Sequence, residues 1–119
     1  MQMTRLKQTW PFQALADNIR FRIMRLLLAI QTPICVGEIA NALSLPSNHI
    51  TKHTQILEIS GLVVIYRKGR SCFVSADSSN ENTKAIFMAV MGMSDESGIH
   101  KEDLSRLLEE EGEVVCRND

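Results

Sequence analysis

Two short amphipathic segments meet at a break only three residues long, and this spacing restricts the fold more than any other feature of the chain. The break is Ser44-Leu45-Pro46. Before it, Val36, Ile39, Ala40 and Leu43 recur at three and four residues within Cys35 to Leu43. After it, Ile50, His53, Ile56 and Leu57 do the same. That period gathers apolar side chains on one helical face. Pro46 suits the first position of the second helix, where an amide has no partner to lose. Ser60-Gly61 offers a glycine stop. Two short helices on so tight a turn form a helix-turn-helix, the second helix spanning about Leu45 to Ser60.

Beyond Gly61 the pattern changes. Leu62-Val63-Val64-Ile65-Tyr66 and Cys72-Phe73-Val74 are β-branched and aromatic, and Arg67-Lys68-Gly69-Arg70-Ser71 lies between them. This reads as a hairpin with a basic tip. Upstream, Phe12, Leu15, Ile19, Ile23, Leu26, Leu27 and Ile30 describe one long helix, with Arg20, Arg22 and Arg25 on its other side and Thr32-Pro33 ending it. Asn80-Glu81-Asn82 caps a further helix, Thr83 to Met93, carrying Ile86, Phe87, Val90 and Met91. A break from Ser94 to Gly98 precedes an acidic helix with Leu104, Leu107 and Leu108 in register. The expected fold is mainly α with a small β-hairpin. It is a winged helix-turn-helix in the order α-α-α-α-β-β-α, followed by an acidic C-terminal helix.

Charge divides the chain at the same place. Residues 1–93 hold ten Lys and Arg against five acids, whereas residues 94–119 hold three against nine. The net charge of −1 therefore averages a basic body, suited to phosphate, with an acidic tail. We divide the chain accordingly into a winged-helix DNA-binding and dimerisation domain, 1–93, and a tail, 94–119. The tail is expected to dock its leucines on the body; a sharper alternative has its charge compete with DNA. No apolar run approaches the roughly 20 residues of a membrane span, and Met1-Gln2-Met3-Thr4-Arg5 lacks the apolar core of a signal peptide. A cytoplasmic protein is expected.

A helix-turn-helix followed by a basic wing is a two-part grip for double-stranded DNA. Ser47, Asn48, His49, Thr51, Lys52, His53 and Gln55 are hydrogen-bonders and a cation suited to base edges and phosphates. Arg67, Lys68 and Arg70 supply the wing. The rival reading is a winged-helix module for protein–protein contact, recruiting through its acidic tail. An enzyme is not expected, because no phosphate-cradling glycine loop, nucleophile elbow or catalytic metal motif is present.

Two stretches carry a resemblance to a known family. Phe12 to Leu28, FQALADNIRFRIMRLLL, resembles the opening helix of the ArsR/SmtB metalloregulatory repressors. Val36 to His53, VGEIANALSLPSNHITKH, with Leu57 and Gly61-Leu62-Val63, resembles the family's helix-turn-helix and entry to the wing. The likeness covers about Phe12 to Ser75. It implies a homodimer, built from the N-terminal helix and the helix at Thr83 to Met93, that represses transcription at a dyad operator until an inducer releases it. The family's Ser-Arg-His segment falls on Thr51-Lys52-His53. Thr54 stands where leucine is usual and Pro46 where serine is frequent.

The resemblance also bears on the inducer. Many members carry Cys-Val-Cys before the recognition helix; here it is Cys35-Val36-Gly37, with one thiol missing. Trivalent arsenic or antimony needs about three thiolates, so Cys72 and Cys116 would have to join Cys35. A thiol redox switch is the alternative, and a structural disulfide framework is not expected in a reducing cytosol. The family's zinc site lies on the helix after the wing, but Thr83 to Met93 has no His or Asp. His49 and His53, four residues apart, share a face already wanted for DNA or packing. Met88, Met91 and Met93 read as a dimer stripe rather than a copper site.

Overall fold

Asp17 breaks the long first helix in two. The structure is a computed structural model describing residues 7–109. In it a 3-10 turn, Lys7–Thr9, leads into α1, Trp10–Leu15, and α2 runs from Asn18 to Ile30. Asp17 between them is extended, and its Oδ1 accepts from the amides of Ile19 (2.9 Å) and Arg20 (3.1 Å). An N-cap carboxylate takes the amides that a continuous helix would bond to the preceding turn. The apolar period runs on across the break, so spacing alone reads one helix where there are two.

A second departure comes at Cys35. Ile34–Cys35 forms a short strand, β1, instead of Cys35 belonging to the next helix. Helix α3 is Val36–Leu43, α4 is Ser47–Ile59, β2 is Val63–Lys68, β3 is Ser71–Ala76, α5 is Glu81–Gly92 and α6 is Ile99–Leu108. The α-α-α-α-β-β-α order stands, but the hairpin is part of a three-stranded antiparallel sheet ordered β1-β3-β2. Ile34 lies opposite Val74 and Cys35 opposite Phe73. Two residues are too few to show the alternation by which a strand is recognised.

The two helices on either side of the break that dominates the sequence end in the same way. Ser44 adopts a left-handed conformation (φ 59°), the Leu45 amide donates to Ala40 O (3.0 Å) and the Ser44 amide to Asn41 O (3.2 Å). At the end of α4, Gly61 has φ +83°, Leu62 donates to Leu57 O and Gly61 to Glu58 O, both at 3.0 Å. These paired bonds satisfy carbonyls that a helix end leaves open. Pro46 sits one residue ahead of α4, not at its first position.

Ile23, Met24 and Leu27 of α2, Ile39 of α3, Ile50 and Leu57 of α4, Leu62 and Val74 are almost wholly buried in one core. Each is worth about 1.5–3 kcal/mol of burial. The arginines of α2, expected to face solvent, hold neighbouring elements. Arg25 donates from Nη1 to the carbonyls of Val90 (2.9 Å) and Met93 (2.8 Å), closing the end of α5. Arg22 grips Asp103 of α6 with two bonds, Nε to Oδ2 at 2.9 Å and Nη2 to Oδ1 at 2.8 Å. Arg106 adds a third at 2.8 Å. Asp103 is 1% exposed. The side-chain bond to Asp103, working against burial, holds Arg22 in its charged form, above the ordinary guanidinium value. The periodicity placed these arginines outside because it counts only apolar residues. Among the described residues, α6 packs on α2 and α3, with Leu104 and Leu107 against the core, and no helix is long and apolar enough to cross a membrane.

Replacing Asp103 by Ala leaves two guanidinium groups facing an apolar gap. We expect a loss of about 2–3 kcal/mol in urea-unfolding stability, at or just below the range for breaking a fully buried pair because both arginines are partly exposed.

Candidate nucleic-acid interface

Helix α4 divides cleanly between a buried and a solvent face. Ile50, Thr54 and Leu57 point into the core, and Thr54 satisfies its hydroxyl on Thr51 O at 3.0 Å. A Thr in place of the family's usual Leu is thus accommodated without an open polar group. Ser47, Asn48, Thr51, Lys52 and Gln55 flank the opposite side, on an arc of about 140° around the helix. His49, which is exposed, stands at the edge of that arc. This is a strip of donors and acceptors with one cation, side-chain chemistry suited to base edges and phosphates.

His53 is different. It is half-buried, and its Nδ1 lies 3.1 Å from Arg20 Nη1. Burial pushes its imidazole below the ordinary value, against the pull of Asp17 and with a further push from Arg20 and His49. The sequence reading grouped His53 with the DNA contacts; it faces the α1–α2 junction instead. The approach of a residue 33 positions away in the chain is invisible to helical spacing.

The wing is short and stiff. Lys68 lies opposite Ser71, leaving a two-residue turn, Gly69-Arg70. Gly69 has φ +63°, the left-handed value that a primed hairpin turn asks of its first central residue and that glycine adopts freely. Tyr66 and Phe73 stack across the strands, 5.6 Å between centroids at 18°. Arg67, Lys68 and Arg70 are exposed.

The charge pattern sharpens once partners are assigned. Arg20, Arg22 and Arg25 are engaged within the fold. Lys84 pairs with Glu81 at 3.5 Å, and Lys7 lies over the Trp10 ring. The basic body's other described cations are Lys52, Arg67, Lys68 and Arg70. All four are exposed, and all four belong to α4 and the wing. Net charge on a segment does not reveal this, since it counts cations spent on carbonyls equally with those facing solvent.

Of the three cysteines, the two described ones, Cys35 and Cys72, do not converge. Cys35 is 0% exposed and ends β1, its amide donating to Glu38 Oε1 at 3.2 Å at the head of α3. Contrary to expectation it is disulfide-bonded. Cys72 is a free, half-buried thiol. Cys35 lies opposite Phe73, and Cys72 is the residue next to Phe73, so the two side chains leave opposite faces of the sheet. Cys116 lies outside the described residues. Among those described, no three His, Cys, Asp or Glu side chains gather as a metal site.

Exposed apolar side chains mark another face. Phe12 on α1 is 62% exposed and Met88 on α5 is 77% exposed, with Met91 and Met93 beyond it. A groove of about 640 Å³ joins α1 to the start of α5, lined by Pro11, Phe12, Thr83 and Ile86.

No family model matches the chain. The arsenic resistance transcriptional regulator ArsR1 of Pseudomonas putida is 39% identical over 59 residues, 50% of this chain and 45% of that protein. The chain therefore spans about half the length of the curated relative it matches. Among solved structures, HlyU from Vibrio cholerae N16961 superposes with a TM-score of 0.63 at 24% identity, over 76% of this chain and 94% of that one. The winged helix-turn-helix expected from the sequence is borne out by that superposition. The ArsR/SmtB resemblance has a curated relative of the same family behind it.

Changing Arg67, Lys68 and Arg70 together to Ala should weaken binding to any duplex about equally. The slope of log affinity against log salt should shrink by about 0.9 for each phosphate that is no longer neutralised, as read by fluorescence anisotropy across a salt series. Stability should stay within about 0.5 kcal/mol of the parent, because these side chains are exposed.

Proposed function

We propose that this ArsR/SmtB-like chain is a sequence-specific DNA-binding transcriptional repressor, acting as a homodimer and released from its operator by chemistry at Cys35. The observation that carries the reading is that the basic body's described cations without a partner inside the fold, Lys52, Arg67, Lys68 and Arg70, all lie on α4 and the wing, around the polar arc of Ser47, Asn48, Thr51, Lys52 and Gln55. The helix meets base edges in the major groove while the wing meets phosphate or the neighbouring minor groove. The curated relative is by name a transcriptional regulator, which agrees with a site built for contact.

Dimerisation rests on the exposed apolar faces of α1 and α5, since patches of this kind on a small chain serve as interfaces. A twofold dimer presents two α4 helices to half-sites one helical turn apart. The proposed location is the cytoplasm, where operator DNA lies.

Two inducers are compatible with a thiol trigger. Release by trivalent arsenic or antimony is supported by the name of the relative that covers half the chain, and it needs sulfur ligands beyond Cys35. A redox signal is supported by the disulfide at Cys35 itself. That residue ends β1, heads α3 and lies against the wing strand, so its bonding state acts on both halves of the grip at once.

The test is binding to the duplex upstream of the chain's own gene, by anisotropy, with wild type and Cys35→Ser. The repressor reading expects tighter binding to that duplex than to random sequence, and steep weakening with salt. Salt-independent binding, or none, would favour the protein–protein module. Release by arsenite that Cys35→Ser abolishes supports the metalloid signal. A difference between reduced and oxidised protein that the variant abolishes supports the redox signal. Identical behaviour of wild type and variant under both treatments removes Cys35 from the mechanism.

A further inference from the structure

We infer that His53 is a positioning residue: in its neutral form it anchors the recognition helix to the α1–α2 junction and thereby sets how α4 meets DNA. The inference rests on the DNA-binding reading for its consequence, and on geometry for the anchor itself.

The anchor is a chain of contacts across the fold. Arg20 donates from Nε to Ala14 O in α1 at 2.6 Å. Its Nη1 reaches His53 Nδ1 at 3.1 Å and lies 4.0 Å from Asp17 Oδ2. Asp17 in turn caps α2 through the amides of Ile19 and Arg20. One guanidinium therefore ties together the end of α1, the start of α2 and the middle of α4. A guanidinium only donates, so Nδ1 of His53 must accept, which places the ring proton on Nε2. Ser47, Asn48, Thr51, Lys52 and Gln55 leave α4 in other directions from this contact, so the orientation of the strip depends on it.

Protonation removes the acceptor. An imidazolium has donors only, and it would face the Arg20 cation across the same short gap. The groups around His53 are Asp17 and Arg20 across the interface and His49 on its own helix. Asp17 opposes the repulsion. Burial would raise its carboxyl, but the amide and guanidinium of Arg20 bring it below the ordinary value, so it stays ionised throughout the range in question. For His53 the folded state favours the neutral form. Its contribution is complete above the ordinary imidazole range of about 6.5 and is lost as pH falls below it toward the lower folded value.

The experiment compares three chains carrying His49→Gln, which leaves His53 as the only histidine of α4; His100 is common to all three and cancels. The first keeps His53. The second has His53→Asn, whose Oδ1 stands near the place of Nδ1 and accepts without titrating. The third has His53→Ala. Between about pH 7.5 and 5.5 at fixed salt, the chain with His53 should lose about fivefold in affinity for the upstream duplex relative to random sequence, the effect of one partly buried hydrogen bond. His53→Asn should bind well at both pH values with a flat profile. His53→Ala should bind like the protonated parent at both.

The same pH profile for His53 and His53→Asn, or full specific affinity in His53→Ala, overturns the inference. A readout without DNA separates its failure from failure of the repressor reading. The ¹⁵N resonances of His53 should show Nδ1 unprotonated and Nε2 protonated at neutral pH in the free protein. The opposite tautomer would remove the anchor even if DNA binds. The expected tautomer with no DNA binding would leave the anchor standing and sink the repressor.

Discussion

The carboxylate of Asp103 holds the helix-turn-helix in place from behind. It receives Arg22 from α2 and Arg106 from its own helix. Those two guanidinium groups also donate onward, Arg22 to Leu43 O at 3.3 Å and Arg106 to Ala42 O at 2.6 Å. Leu43 and Ala42 are the last residues of α3, where helical carbonyls run out of amide partners. The end of α3 is thus capped by cations, and the cations are held by one buried acid. The tight turn at Ser44 and the angle of α4 depend on an element that composition alone describes as an acidic appendage.

Much of the fold was legible from spacing. The two helices around Ser44-Leu45-Pro46, the glycine stop at Gly61, the hairpin at Gly69 and the helix capped by Asn80 all follow from local chemistry, and local chemistry is what a sequence displays. The misreadings share a cause. Asp17 breaks a helix whose apolar period continues through it. Cys35 pairs with Phe73, far along the chain, and His53 turns to an arginine 33 residues earlier. The last two are settled by partners distant in the chain, and the first by a side chain that competes with the backbone; periodicity carries no information about either.

The candidate site was legible to a similar degree. Ser47, Asn48, Thr51, Lys52, Gln55 and the wing cations are where the helical and hairpin patterns put them, because an exposed face is simply what the core leaves over. The arginines of α2 were not legible. They look like surface charge, yet they serve carbonyls and a carboxylate inside the fold. Sorting the cations by partner rather than by count turns a diffuse basic body into one cation on α4 and three on the wing.

The pairing of β1 with β3 makes the wing continuous with the base of α3. Only Lys68, Gly69, Arg70 and Ser71 extend past the rung that joins Arg67 to Cys72, and the two-residue turn leaves no slack to lengthen. Major-groove helix and wing tip are therefore mounted on a single frame, like the jaws of a fixed-gauge caliper. Under the proposed function, the distance between the bases that α4 meets and the backbone that the wing meets is set by the protein, and DNA with a different groove width deforms to fit it.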